Sequence, residues 1–191
     1  MTPSKLDKID SVQMTHSFWN FSLEVYSKKG VSDSCIALQE SHGVDVNILL
    51  FCCWAASVGH PVLSKHEIAL LCRSAAEWNQ DIIQKLRNVR KSLKIKNYQC
   101  NEEEVRDLQS RILEVEIKAE QTEQFKLMRT IAVLEDQSVP EIQRINNALE
   151  NITLYFSLPE LSAACYTTEL CNLLRGVFPK ASKTNIKLAL E

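Results

Sequence analysis

The sequence predicts an all-α fold: a bundle of seven or eight helices around a central buried helix at about residues 44–58. Three observations lead there. The stretch His42 to Gly59, HGVDVNILLFCCWAASVG, contains an unbroken apolar run from Ile48 to Ala56. On a 3.6-residue helix this run is apolar on every side, and such a helix is normally enclosed by others. It falls short of the about 20 apolar residues that a membrane span needs. Four glycines and five prolines in 191 residues are too few for a loop-rich β fold. No segment alternates with period two, whereas several repeat apolar residues at steps of three and four.

In order, residues 1–14 read as a flexible tail, 15–96 as a helical core, and 97–191 as a helical extension packed on that core within one domain. The first helix, Ser17 to Lys29, buries Phe18, Phe21 (or Trp19), Val25 and Tyr26, and Gly30 ends it in a left-handed conformation. Val31 to Ser41 forms a short second helix with Ser32 as N-cap, and Cys35, Ile36, Leu38 and Gln39 follow. Gly43 stops it, and Asp45 starts the central helix, where a carboxylate suits the unpaired N–H groups and the macrodipole. Gly59-His60-Pro61 breaks the chain. Ser64-Lys65-His66-Glu67 has the form of a capping box. Ile68, Leu71, Cys72 and Ala75, then Trp78, Ile82, Leu86, Val89 and Leu93, carry an apolar face onward, with room for a bend near residues 76–79.

Asn101 with Glu104 resembles a second capping box. Val105, Leu108, Ile112, Val115, Ala119 and Thr122 then follow the heptad pattern of a helix–helix seam, which slips near Lys126, where Phe125, Leu127 and Met128 take over. Ser138-Val139-Pro140-Glu141 and Ser157-Leu158-Pro159-Glu160 share one helix-start form. They predict helices at about 140–156 and 159–175, the latter ended by Gly176 and Pro179, and Ser182 caps a short final helix.

Apolar residues make up 45% and charged residues 24% of the chain, an ordinary globular balance that argues against disorder. A net charge of -2 supplies no global field toward nucleic acid or anionic lipid. Seven cysteines are an odd count without a C-x-x-C pair, and the first residues carry no apolar signal core. Both point to free thiols in a reducing cytoplasm.

The residues Phe18-Trp19, Phe21-Ser22-Leu23, Tyr26, Gly30-Val31, Cys35, Leu38-Gln39, Gly43, Asp45-Val46-Asn47, Leu49-Leu50 and Trp54 stand at a distinctive spacing. With Trp78 and Leu86-Arg87, Arg90-Lys91 and Leu93-Lys94, they resemble a family of small proteobacterial proteins of unknown function, over residues 17–96. Glu40 stands where that pattern has Asp. The resemblance implies a soluble bacterial helical protein, supplies no catalytic residues to carry over and says nothing of activity, and the C-terminal half lies outside it.

Four constellations carry candidate chemistry. Gln39, Glu40, His42, Asp45 and Asn47 gather polar groups in the break between two apolar helices, where a carboxylate beside an imidazole could exchange protons. Helix capping accounts for Asp45 and Asn47 more simply. His42, His60 and His66 lack the i,i+3 or i,i+4 ligand spacing of helical metal sites, so neither metal nor cofactor is expected. Arg87, Arg90, Lys91 and Lys94 form a basic surface patch that could track phosphates. An antiparallel hairpin would instead set Arg87, Lys91 and Lys94 against Glu102, Glu103, Glu104 and Asp107, so nucleic acid is not expected. Cys35 and Cys100 have no His–Asp partner that would make either a nucleophile.

Two function classes follow, and the helix–helix seam, the charged hairpin and the lack of catalytic motifs favour the first. One is a cytoplasmic interaction or regulatory protein presenting a helical face to a protein partner, with no membrane partner and a homo-oligomer left open. The other is a small-ligand binder or enzyme with a pocket near Asp45 and His42. A deep pocket lined by Trp19 and Trp54 would favour the second, a filled core the first.

Overall fold

The structure, a computed structural model, describes residues 17–95, 98–158 and 167–181. The 1–14 tail, Lys96, Asn97, the helix start at Pro159, Cys165 and the helix expected after Ser182 lie outside them. The described residues are helical and contain no strand. Helix α1 spans 17–26, followed by α2 (Val31–His42), α3 (Val46–Ser57) and α4 (Lys65–Trp78). A π-helical turn, Asn79–Ile83, leads into α5 (Gln84–Ile95), and α6 (Glu102–Thr130), α7 (Glu141–Phe156) and α8 (Thr167–Val177) complete the order.

Every residue of α3 from Val46 to Ala56 is buried, as its all-round apolar surface requires. Helix α7 packs along it, α6 and α8 also touch it, and α2 lies against α8. Phe18 of α1 meets Phe51 and Trp54 at ring-centroid distances of 5.4 and 5.2 Å, the spacing of favourable aromatic pairs. Buried asparagines fasten α7 to the neighbouring backbone. Asn151 donates to Cys52 O (3.2 Å) and accepts from Leu63 N–H (2.8 Å), and Asn147 donates to His60 O (3.2 Å). Leu63 N–H and His60 O lie between α3 and α4, where no helix ladder serves them, and the asparagines satisfy them there.

The local signals hold at several ends. Gly30 and Gly43 adopt positive φ, 80° and 68°, and Ser64 and Glu67 complete the reciprocal capping box. Other boundaries shift. Helix α1 stops at residue 26 rather than 29, and a turn carries the chain into Gly30, which itself occupies the N-cap of α2. Ser32 therefore falls within the first turn of α2 rather than capping it. Gly176 lies inside α8 rather than ending it, and a Cβ there would stand 2.7 Å from Val31 Cγ2, so its role is close approach to α2.

The larger departure is rotational. The π turn inserts one extra residue into the helical repeat, which turns everything after it by about 100°. Ile83 is consequently buried while Ile82 is 37% exposed, and α5 buries no residue completely. Helix α5 faces α6 with Arg87 and Arg90, leaving Val89 half exposed. The α6 seam rolls correspondingly: Glu116 and Glu123 are buried where Val115 and Thr122 were expected, and Leu108 and Val115 are exposed.

Candidate functional site

Where α3 begins, five elements converge. Asp45, the N-cap of α3, accepts on Oδ1 from the Asn47 and Ile48 N–H groups at 2.9 and 3.4 Å. Its own N–H donates to the Tyr155 hydroxyl of α7 at 2.9 Å. Oδ2 accepts from Asn79 Nδ2 at 3.0 Å. The π turn thus has a local consequence: it sets the Asn79 amide on the carboxylate that caps the central helix.

A chain of polar side chains runs inward from there. Ser22 of α1 donates to Gln124 Oε1 (3.2 Å), Gln124 Nε2 to Asn47 Oδ1 (2.8 Å), and Asn47 Nδ2 to Glu123 Oε2 (2.6 Å). Ser22, Asn47, Glu123 and Gln124 are all buried. Glu123 Oε1 ends the chain with no hydrogen-bond partner, an arrangement that disfavours the ionised form.

Beside this chain, Glu116 accepts from Arg87 Nε (2.9 Å) and from Arg90 Nε (2.6 Å), and Glu120 accepts from Arg87 Nη2 (2.7 Å). The acids separate electrostatically. Burial works against the Glu116 charge, but hydrogen bonds from Arg90 and Arg87 hold its carboxyl below the ordinary range. Burial raises Glu120, with Arg87 pulling the other way. Burial pushes Asp45 up to about 6 against the two N–H groups it caps and the Arg87 charge. Burial, then the nearby Asp45 charge, pushes Glu123 up to about 8. Asp45 and Glu123 titrate as an interacting pair.

A cavity of about 270 Å³ opens onto these groups. Trp19, Leu23, Tyr26, Leu50 and Ile117 give it apolar walls, while Gln39, Asp45, Asn47, Asn79, Glu120 and Gln124 supply polar ones. A second cavity, about 510 Å³, lies against Asp45 and Asn79 as well, with Arg73, Gln80, Gln84 and Tyr155. Asp45 and Asn79 belong to the walls of both.

The structure brings Gln39, Asp45 and Asn47 together in the first cavity. Glu40 instead pairs with Lys91 at 2.5 Å on the exterior, which lowers its carboxyl pKa. His42 ends α2 and does not line either cavity. Of the two tryptophans, only Trp19 reaches the cavity; Trp54 is buried in the aromatic core.

The basic patch divides. Arg87 and Arg90 turn onto α6, Lys91 meets Glu40, and Lys94 is exposed. The expected pairing of Arg87, Lys91 and Lys94 with Glu102–Glu104 and Asp107 is not formed among the described residues. Glu102 and Asp107 pair with Arg106 and Arg111 of their own helix. An antiparallel hairpin matches residues equally far from its turn, and Arg87 lies too far back along α5 to reach the start of α6.

Sequence reasoning missed Asn79, Glu116, Glu120, Glu123, Gln124 and Tyr155. A signal was present: Glu116, Glu120 and Glu123 recur at steps of four and three beside Ala119, a helical face of acids. Val115 and Thr122 on the adjoining stripe supplied the apolar pattern that masked it. His60 is buried and accepts from Leu134 N–H at 3.0 Å through Nδ1, and burial lowers its pKa. Burial pushes the Cys35 thiol up to about 12, away from nucleophilic use. Among the described residues, no three His, Cys, Asp or Glu side chains are placed to share a metal ion, and no helix is long and apolar enough to cross a membrane.

The protein is a helical bundle with a small cavity of mixed apolar and polar walls at the start of its central helix. The chain belongs to the family described as protein of unknown function (DUF2390), whose model matches residues 17–127. That span runs beyond residue 96 through most of α6, so it includes the acids at 116, 120 and 123. No curated protein and no solved structure matches the chain.

Proposed function

We propose that the protein binds a small molecule in the cavity at the start of α3. The observation that carries this reading is the wall of that cavity. Asp45, Asn47, Asn79, Glu120 and Gln124 converge beside Trp19 and Tyr26, the mixture of apolar surface and a few fixed polar groups that small-molecule sites use. The polar groups sit on helices and are held by one another, so a ligand meets a preorganised surface.

Thermal melting against a chemically diverse panel of small molecules, with the wild type and Gln39→Trp, tests the reading. The indole would occupy the cavity from the surface of α2. A ligand at a hundred times its Kd adds about 2.7 kcal/mol. At least one compound should raise the wild-type melting temperature by several degrees and leave Gln39→Trp unmoved. Equal response of both proteins to every compound contradicts it.

A second reading, self-association, is favoured by the exposed apolar residues of the α5–α6 hairpin. Val89, Leu108 and Val115 are 50%, 46% and 54% exposed. Sedimentation velocity should then show a dimer that a Val89→Ser, Leu108→Ser, Val115→Ser variant loses. A monomer at all concentrations excludes it.

A further inference from the structure

We infer that the cavity takes a small organic cation, with its charged nitrogen beside Asp45 and Glu120 and its hydrocarbon part against Trp19 and Tyr26. The inference rests on the reading of this cavity as a ligand site and names the chemistry of the ligand.

Charge accounting comes first. Glu116 and Glu120 neutralise Arg87 and Arg90 through four hydrogen bonds of 2.6–3.1 Å. Asp45 and Glu123 make no ion pair among the described residues. Arg87 is the one cationic side chain that lines the cavity, and its Nε and Nη2 are already committed to carboxylates. The local surplus is negative, which suits a cation and repels an anion.

Shape and satisfaction add to this. Glu123 is completely buried and its Oε1 lacks a partner, although its other oxygen is tied through Asn47 to the cavity wall. A cation lodged at Asp45 adds to the field of Arg87, whose guanidinium is already shared with Glu116 and Glu120. Aromatic faces attract cations as well as covering hydrocarbon, and Trp19 and Tyr26 both line the cavity. With no three side chains placed to share a metal ion among the described residues, a nitrogen cation bearing N–H donors and apolar surface fits better than a bare metal. Gln39 on the cavity wall offers an amide oxygen for those donors beside the Asp45 and Glu120 carboxylates.

Isothermal titration with a matched set of probes tests the inference: agmatine and phenethylamine as cations, 2-phenylethanol as the neutral counterpart, and 3-phenylpropionate as the anion. The expected result is binding of a cation at least tenfold tighter than the alcohol or the carboxylate. Asp45→Asn should weaken that binding at least tenfold, and because Asn caps a helix as Asp does, the variant keeps its fold. Glu120→Gln should weaken it similarly, whereas Glu102→Gln, on the exposed start of α6, should leave it unchanged. Binding of the alcohol or the carboxylate as tightly as either amine overturns the cation assignment and leaves the ligand site standing. Cation binding that Asp45→Asn does not weaken overturns the location. Absence of binding by every probe overturns the assignment, while the thermal panel judges the ligand site independently.

Discussion

Asp45 does two things with one carboxylate. Oδ1 caps α3, and Oδ2 holds Asn79 at the π turn. The two are separable by substitution. Asp45→Ala removes the cap and should cost about 1 kcal/mol in chemical denaturation, while Asp45→Asn should retain most of that contribution. Glu123 gives a sharper expectation. Its folded-state pKa is raised above its ordinary value of 4.5, to about 8. The native state therefore binds more protons than the unfolded state within that window. Stability falls as pH rises from about 4.5 to about 8, because ionising Glu123 in its buried setting is unfavourable. Glu123→Gln should flatten this slope and be the more stable protein at pH 8, as melts at pH 5, 6, 7 and 8 would record. A wild type whose stability rises across that range contradicts the assignment. Asp45 was legible as a cap because its position before an apolar run has a local meaning. Glu123 was not, because its burial depends on how α6 is rotated, which no local pattern states.

At the scale of elements, the π turn decides most of what differs from expectation. The apolar stripes of α5 and α6 were both readable, the first as a continuation of the α4 face and the second as a helix–helix seam. One inserted residue at Asn79–Ile83 turns α5 so that Arg87 and Arg90 face α6, and the acids of α6 answer them. A π turn leaves no dependable residue signature, so the roll of two helices could not be read from spacing. The Ser64–Glu67 capping box, the Gly43 end of α2 and the central helix could be read, since each depends on a few neighbouring residues. The ion pairs differ in weight accordingly. Glu116 is 4% exposed at its side chain and serves both arginines, of which Arg90 is 29% exposed. Glu116→Ala should destabilise by about 2–3 kcal/mol, below the full cost of breaking a wholly buried pair. Glu102→Ala, at an exposed pair within α6, should change stability by less than about 0.5 kcal/mol. Equal effects of the two substitutions would mean that α5 and α6 are not joined as described.

Across the whole molecule, the enclosed α3 forms the core, and the buried polar side chains gather beside the cavity at its start. Cys52 and Cys53 are fully buried within that helix, and burial raises both thiols. They should react with a thiol reagent only at the rate of global unfolding, whereas exposed Cys100 labels at once. Rapid labelling of Cys52 in the native protein would show that α3 is not enclosed. Asp45 and Glu123, whose charges burial opposes, make up the acid pair that the proposed cation would meet beside the start of α3. Proton release on binding reports whether it does. Phenethylamine is titrated at pH 7 in two buffers of different ionisation enthalpy. At that pH Glu123 still holds its proton in the free protein, and a bound cation favours the carboxylate. Binding should release up to about one proton, and Glu123→Gln should abolish the release. Binding with no proton release, or with proton uptake, would contradict that proposal.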